Sequence, residues 1–401
     1  MKRLPQSYGP NWLTPARILG LFAALLVFVG ILSWLKERPF LPVDDYGGVS
    51  YPRLPTVSTA ETAKDLWNMG TLERPEFYRL YAYFIEESRI HRDRTYRQDV
   101  FTEAADGRLL PKHPVIISVM AAPFYGWMGQ VGFWVFQQLV LLALIISLYR
   151  VARDLAGPEA ALLTCALAAA GTNLVWYYSY NFSYDILGTM FIMAGLSYLK
   201  RYPLLAGTLF ALSLYVRAAN VVVLPFLVLT CWPPGTDFRG ILRPWILVMS
   251  GFLAVILPYL ALNHLIYGDA LKGNYSLIPV FAQGKVLYDV ETTDFSWRFF
   301  REEALARLWG HPESVLYAYP GLFVSILSLP WILRLPGRER RFAVLLFLAG
   351  CSMIVLFFCY SGWLKAHGDR YVLPAAFLML IPTALVFRGL SNALQSRLKK
   401  G

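Results

Sequence analysis

The adjacent carboxylates Asp44 and Asp45 have the type and position for acid–base chemistry. They follow the first long apolar run, Ile18–Leu35, by roughly ten residues, at a place where a carboxylate is costly to desolvate. In an extended segment neighbouring side chains point to opposite sides, so one of the two would face a reacting centre. That one could act as a general base, while its neighbour orients it or binds a hydroxyl. The alternative is a solvated pair that caps the end of a helix.

Several basic residues could bind an anion at the same membrane surface. Arg217, in the stretch VRAAN, lies between two short apolar segments, where an arginine is costly without a partner. Its planar guanidinium suits a phosphate that is bound through two hydrogen bonds. Further cations lie at the ends of other apolar runs, and they are Lys112 and His113 in LLPKHP, and Lys365, His367 and Arg370 in WLKAHGDRYVLP. The alternative for Arg217 is a side chain that extends to the lipid headgroups. The alternative for the other cations is that they are ordinary loop charges.

Asp185, in NFSYDILG, begins another apolar run. It could assist a base, bind a sugar hydroxyl or pair with one of these cations, but the helix dipole alone also favours an aspartate there. No metal site is predicted, because the five histidines and four cysteines lack ligand spacing. Two or three outer carboxylates could nevertheless hold Mg²⁺ or Mn²⁺.

The elements that must position these residues are long apolar helices. Of the 401 residues, 57% are hydrophobic and 16% are charged, well below the charged fraction of soluble domains. A spanning helix needs about 20 apolar residues, and such runs recur along the chain. The predicted spans lie near residues 18–35, 131–149, 159–177, 183–199, 203–216, 219–232, 244–262, 315–333, 342–360 and 371–387. The sequence therefore predicts an all-α polytopic protein, with residues 1–401 forming a single membrane domain.

The distribution of charge predicts the orientation. The loops assigned to the cytoplasm carry 17 of the 37 basic residues but only four of the 26 acidic ones, which follows the positive-inside rule. Both termini are then cytoplasmic, and nucleic-acid binding is not expected. The rule also requires residues 203–232 to form two short helices that break near Arg217, and residues 114–129 to form an interfacial or re-entrant helix.

Two large loops, residues 36–113 and 263–314, are expected on the outer side, where they would form a cap. Within the first loop, Pro75–Arg94 interleaves aromatic and charged residues, which would suit a helix along the membrane surface. All five histidines fall on this side. Chemistry is therefore expected outside the cytoplasm.

An acidic pair soon after the first span resembles the motif of the GT-C superfamily of polytopic glycosyltransferases. Further segments resemble, in the same order, those of its bacterial mannosyltransferase-like members. They are AETAKDLWNMGTL (60–72), KHPVIISVMAAPFYGWMG (112–129), LLAGTLFALSLYVRAANVVVLP (204–225), LNHLIYGDALKGNY (262–275) and GDRYVLP (368–374). Arg217 is followed by alanine, where the family has proline.

The resemblance implies a GT-C-like fold of about ten transmembrane helices with interfacial helices, and an enzyme that uses a polyprenyl-phosphate-linked sugar. Asp44 would be the catalytic base beside Asp45, and Lys112, Arg217 and Arg370 would contact the donor phosphate. The auxiliary or substrate-binding candidates are His113, Asp185, Lys365 and His367.

The expected reaction is transfer of a monosaccharide, with inversion, to an acceptor hydroxyl on the outer face of a bacterial or archaeal plasma membrane. The acceptor could be a glycan, a lipid or a protein. One alternative is a transporter or flippase of a lipid-linked solute, which usually shows internal symmetry that this sequence lacks. Another is a glycan ligase or polymerase that uses a lipid-diphosphate donor.

Overall fold

The computed structural model describes residues 63–64, 66, 68, 70–71, 75–97, 101–111, 115–172, 183–230, 238–271, 278–289, 295–310, 314–360 and 368–398, together with Gly20 and Ala24. Most of these residues are helical. The helices, in chain order, are α1 (Pro75–Ile90), α2 (Val115–Met128), α3 (Gln130–Ala156), α4 (Pro158–Ala170), α5 (Tyr184–Tyr198), α6 (Pro203–Val216), α7 (Leu224–Leu229), α8 (Phe238–Tyr267), α9 (Trp297–Leu305), α10 (Val315–Ala318), α11 (Gly321–Leu333), α12 (Gly337–Phe358), α13 (Leu373–Leu380) and α14 (Thr383–Leu398).

Four helical segments in the described ranges are long and apolar enough to cross a membrane, and they are Gln130–Ala156, Leu242–Tyr267, Gly337–Phe358 and Arg370–Ala393. A fifth is added if the bent pair Trp297–Ala318 and Gly321–Leu333 is counted as one span. Shorter apolar helices overlap other predicted spans, among them α4 and α6. Of the predicted span 18–35, only Gly20 and Ala24 lie in the described ranges.

The helix boundaries near Arg217 agree with the predicted break. Helix α6 begins with Pro203 at its N-terminus and ends at Val216, and a 3₁₀ turn (Ala218–Val222) then leads to α7. Proline suits the first turn of a helix, because its missing N–H has no partner to lose there. Helix α2 occupies the segment predicted as interfacial or re-entrant, and its 14 residues are too few for a full span.

Close helix packing holds the bundle together. A Cβ atom added at Gly207 would lie 1.9 Å from the carbonyl oxygen of Val248, and one at Gly251 would lie 1.9 Å from that of Leu204. Only glycine therefore lets the backbones of α6 and α8 approach this closely, as in other membrane helix pairs. Helices α5 and α13 lie in the centre, with nearly every side chain buried.

Among the residues that the structure describes, five short strands depart from the all-α expectation. Strands β1 (Thr95–Arg97), β4 (Ile278–Ala282) and β5 (Lys285–Asp289) form an antiparallel sheet in the order β1-β4-β5. Strands β2 (Phe101–Glu103) and β3 (Leu109–Pro111) form a hairpin. Strand β1 lies within residues 36–113 and β4 within residues 263–314, so this pairing depends on the tertiary fold and local sequence patterns could not reveal it.

Helix α1 packs on these strands to form a small module, which we call the cap. Its side chains Phe77, Leu80 and Phe84 are buried against Phe101 and Phe281. The sequence predicts a helix along the membrane surface for Pro75–Arg94, and the structure forms a helix over Pro75–Ile90. Its three buried side chains pack with residues of the strands, which supply an apolar surface for them.

Candidate active site

Asp185 lies in the first turn of α5 at one end of the bundle. The side chain of Ser183 caps this helix and accepts a hydrogen bond of 3.2 Å from the backbone N–H of Asp185. A serine N-cap and an early aspartate both suit the positive end of the helix dipole. The Asp185 side chain is 1% exposed, so the helix start holds a carboxylate inside the protein.

Arg217 occupies the break between α6 and the 3₁₀ turn. Its backbone is extended, with φ −151° and ψ 109°, and its N–H donates to the carbonyl of Ser213 at 2.9 Å. Asn220 fixes the turn, because its Nδ2 atom also donates to Ser213, at 3.0 Å. Gly188 of α5 lies against this turn, and a Cβ there would come within 3.2 Å of Asn220 Nδ2. The break therefore directs Arg217 towards the start of α5.

Arg370 reaches the same place from a distant part of the chain. It lies in a 3₁₀ turn (Gly368–Val372) that leads into α13, where Pro374 occupies the first turn. Its side chain is 1% exposed, and its Nε atom lies 3.8 Å from Asp185 Oδ2. The Nη2 atom donates to the hydroxyl of Tyr371 at 3.3 Å.

The three charged groups form one cluster around Asp185. Arg217 Nη1 donates to Asp185 Oδ1, while Arg370 faces the other carboxylate oxygen. Two guanidinium groups thus meet one carboxylate, which leaves one unit of positive charge among the three. Buried charges of this kind cost several kcal/mol of desolvation and are weak evidence of stabilisation. Ionisable residues buried inside a bundle of apolar helices are by default candidates for function.

Aromatic rings enclose the guanidinium of Arg217. The centre of the guanidinium lies 4.3 Å from the ring of Tyr371, 5.4 Å from that of Tyr184 and 5.5 Å from that of Phe357. Phe357 and Tyr371 stack on each other at 4.9 Å. Cation–π contacts stabilise a desolvated arginine without using its N–H groups. Arg217 is also the most accessible of the three charged residues, with 13% of its side chain exposed. It can therefore bind an anion that approaches from outside the cluster.

Arg307 is a buried residue that the sequence reasoning missed. It lies in the π-helical turn Ala306–Gly310, is 1% exposed and pairs with Glu303. Its Nη1 atom donates to the carbonyls of Phe357, Phe358 and Tyr360 at 3.3, 2.8 and 2.6 Å.

These carbonyls end α12, where a cation meets the negative end of the helix dipole. Arg307 thereby attaches residues 295–310 beside the ring of Phe357. In the sequence, the burial of Arg307 is indicated only by its spacing to Glu303, and the same spacing is equally typical of an ion pair on an exposed helix face.

The structure brings together Asp185, Arg217 and Arg370 among the residues predicted from sequence. The other candidates lie outside the described residues, and they are Asp44, Asp45, Lys112, His113, Lys365 and His367. Within the described ranges, no group of three histidine, cysteine, aspartate or glutamate side chains could hold a metal ion. That statement does not cover Asp44 and Asp45, which lie outside the described residues.

Two solved structures are similar to this chain in fold. One is ArnT from Cupriavidus metallidurans bound to undecaprenyl phosphate, with a TM-score of 0.54 and 14% identity over 92% of this chain and 59% of that one. The other is the oligosaccharyltransferase of Archaeoglobus fulgidus in its apo form, with a TM-score of 0.51 and 12% identity over 97% of this chain and 53% of that one. The fold is the GT-C fold.

The resemblance found in the sequence is thereby confirmed as a likeness of fold. No protein-family model matches the chain, and no curated protein matches it in sequence. The chain spans a little over half the length of the two solved structures, 59% and 53%.

Proposed function

We propose that this GT-C chain is an inverting glycosyltransferase that moves a monosaccharide from a polyprenyl-phosphate carrier to an acceptor hydroxyl. The observation that carries the proposal is the meeting of Arg217 and Arg370 at one buried carboxylate, with Arg217 partly exposed. Its support from the fold is the likeness to a protein solved with undecaprenyl phosphate bound.

The arginine cluster suits a phosphate that is a leaving group. As the bond between the anomeric carbon and the phosphate oxygen breaks, its electron pair stays on the phosphate and negative charge grows there. Arg217, joined by Arg370, stabilises that charge, and a dry site strengthens the effect because water does not screen it. Asp185 holds the two guanidinium groups in place before the donor arrives, which avoids reorganisation during the reaction. Lys112 is proposed as a third contact to the phosphate.

Asp44 is proposed as the base on the opposite face of the sugar. It takes the proton of the acceptor hydroxyl, whose oxygen then bonds to the anomeric carbon as the phosphate leaves, which inverts that carbon. A well-placed base is typically worth about 10²–10⁴-fold in rate. His113, Lys365 and His367 are proposed to contact the sugar or the phosphate at the outer membrane surface. Both termini are proposed to be cytoplasmic and the site to open on the outer side of the plasma membrane.

The test compares lipid extracts of cells that express wild type, Asp44→Asn or Asp154→Asn in a strain without the native copy. Asp154 is a matched control, because it is an exposed aspartate at the end of α3 that pairs with Arg153. With Asp44→Asn, mass spectrometry should show a polyprenyl-monophosphate sugar that accumulates, while wild type and Asp154→Asn consume it. Equal profiles in all three strains would contradict the proposal.

A second candidate is transfer of a whole glycan from a lipid diphosphate, favoured by the fold likeness to the archaeal oligosaccharyltransferase. The same extracts separate the two reactions. Accumulation of an oligosaccharide on a diphosphate carrier, in place of a monosaccharide on a monophosphate carrier, would identify the second.

A further inference from the structure

We propose that the outer edge of strand β5 (Lys285–Asp289) is a docking surface for a second copy of this chain. Two β5 strands would pair antiparallel across a twofold axis that passes beside Leu287, and the caps of the two copies would form one continuous sheet. The proposal is independent of the catalytic activity, because it depends only on the backbone geometry and the sequence of this strand.

The two edges of the cap sheet differ in length. Strand β1, at one edge, has three residues, and short edge strands are one way in which proteins avoid pairing with other chains. Strand β5, at the other edge, has five residues, and its side chains Leu287 and Tyr288 are 56% and 42% exposed. In the described part of the chain no further strand pairs with β5. A longer edge with exposed apolar side chains favours association with another strand.

The turn before β5 determines which backbone groups face this edge. Residues 283–284 form a two-residue loop with φ values of 53° and 73°, and the pair Ala282 and Lys285 closes it. In such a hairpin the closing residues are hydrogen-bonded to each other, and bonded and non-bonded pairs then alternate along the strands. Val286 and Tyr288 therefore direct their backbone N–H and C=O groups away from β4, towards the outer edge.

These outward groups restrict the register of a β5 pair. Antiparallel strands exchange hydrogen bonds where outward-facing residues lie opposite each other, so a symmetric pair can be centred only on position 286, 287 or 288. A pair centred on Leu287 places Val286 opposite Tyr288 of the second copy. Each of these residues then exchanges both of its outward backbone hydrogen bonds with the residue opposite.

Charge selects the register centred on Leu287. That register places Lys285 opposite Asp289 of the second copy, and the symmetry of the pair makes this contact twice. Opposite charges across neighbouring strands stabilise the pairing. Either of the other two registers would place one of these charges opposite Leu287. Within its own sheet β5 pairs the two charged positions with Ala282 and Ile278, which carry no charge. The strand is thus complementary to itself.

The test is disulfide cross-linking of the full chain in its membrane. A strand pair buries less area than a stable interface in solution, so the copies are kept in the bilayer, where they are confined to two dimensions. In the proposed register Leu287 lies opposite Leu287 of the second copy in a non-hydrogen-bonded pair, with Cα atoms about 4.5 Å apart. Disulfide bonds join Cα atoms about 4.4–6.8 Å apart. Leu287→Cys should therefore form covalent dimers when copper phenanthroline oxidises the two thiols.

Lys285→Cys is the matched control. Position 285 is exposed, belongs to the same strand and lies on the same face of the sheet as Leu287. In the proposed register it lies more than about 10 Å from its own counterpart, so it should form few dimers. Wild type is oxidised in parallel to account for the native cysteines.

Two further changes in the Leu287→Cys background test what causes the pairing. Lys285→Asp places like charges opposite each other and should lower the cross-linked fraction about two- to tenfold, whereas adding Asp289→Lys should restore it. Val286→Pro removes an outward N–H and keeps the hydrogen bonds to β4, so it should abolish cross-linking with little change in unfolding temperature.

A second measurement needs no introduced cysteine. Single-molecule photobleaching of labelled chains in liposomes should count more dimers for wild type than for Val286→Pro at the same ratio of protein to lipid. An equal dimer fraction in the two would overturn the proposal.

Three cross-linking results would also overturn it. Leu287→Cys without dimers would mean that the β5 edge does not meet a second copy. Equal cross-linking at positions 287 and 285 would indicate random collisions in the membrane. A loss of dimers with Lys285→Asp that Asp289→Lys does not restore would show that charge does not set the register.

Discussion

Arginines of the bundle and of the cap differ in what surrounds them. In the cap, Arg89 pairs with Glu86 and Arg108 with Asp106, and these arginine side chains are 62% and 51% exposed. In the bundle, Arg217 and Arg370 are 13% and 1% exposed and share one carboxylate. The two regions contain the same pair of residue types in opposite environments.

The difference shows where charge is retained at a cost. Exposed pairs contribute about 0–1 kcal/mol, so the arginines of the cap need no explanation beyond solubility. A buried cluster around one carboxylate contributes little net stability, because the desolvation penalty offsets the attraction between the charges. Folding stability alone does not explain these buried arginines, which is consistent with the proposal that they bind an anion.

The largest effect is expected from Arg217→Ala. Because Arg217 is proposed to contact the donor phosphate, its loss should weaken binding of a polyprenyl phosphate, with undecaprenyl phosphate as the probe, by about 1.5–3 kcal/mol, which is about 10- to 150-fold in Kd. Turnover should fall by about 10²–10³-fold, because the contact strengthens as charge develops on the phosphate. Binding is measured on the purified protein by the shift of its unfolding temperature with added undecaprenyl phosphate.

Arg150→Ala is the matched control for this prediction. Arg150, in α3, is also an arginine beside an aromatic ring, 5.7 Å from that of Tyr198 at the C-terminal end of α5, but it is exposed. Its loss should leave phosphate binding unchanged. If both variants bind undecaprenyl phosphate like wild type, the cluster has no role in anion binding.

The next effect in size is a loss of stability in Arg307→Ala. The variant gives up hydrogen bonds from a charged donor to three carbonyls, so the free energy of unfolding should fall by about 1.5–3 kcal/mol. Arginine binds the carbonyls through Nη1 and Glu303 through Nε and Nη2, whereas the single nitrogen of Arg307→Lys must serve both, so this variant should have a stability between those of wild type and Arg307→Ala. Unfolding temperature is the measurement. An Arg307→Ala variant as stable as wild type would show that residues 295–310 are held by other contacts.

The sequence revealed the members of the cluster but could not show that they meet. Arg217 is identified from the cost of a charge between apolar segments, and Asp185 and Arg370 from their positions at the ends of apolar runs. These signals are local, whereas the meeting of the three residues depends on the packing of α5, α6 and α13. The break after Val216 was predictable, because the arginine and the positive-inside rule both require it.

Other features depend on contacts between distant parts of the chain. Tyr288 donates to Glu103 across 185 residues, and the sheet that joins their loops forms from short segments with weak local preference. Arg307 carried the pattern of an exposed helix pair, and only the tertiary structure shows that α12 buries it. Periodicity reports which face is apolar, but it does not report what covers that face.

A smaller effect is expected in the cap from Phe281→Leu. Phe281 is buried, stacks on Phe84 and meets Tyr81 edge-on, each at 5.5 Å. The change should weaken the cap by about 1 kcal/mol through lost ring contacts. Limited proteolysis should then cut the cap faster, while binding of undecaprenyl phosphate stays at the wild-type value. Leu287→Ala, at an exposed position of β5, is the control that should change neither. Loss of phosphate binding in Phe281→Leu would mean that the cap shapes the arginine cluster.

The smallest effect is expected from Asp106→Asn in the turn between β2 and β3. Hydrogen bonds from the backbone N–H and side chain of Arg108, at 3.2 and 2.7 Å, lower the pKa of this carboxyl below its ordinary value of 3.8. Because the pKa of this carboxyl is lower in the folded than in the unfolded protein, its ionised form stabilises the folded state above pH 3.8. That contribution is lost as the pH falls through the pKa of the folded state. The pair is about half exposed on both sides, so water screens it. Unfolding temperatures of the variant and wild type should coincide at pH 7, and a clear difference there would show that a charge pair of the cap also contributes to folding.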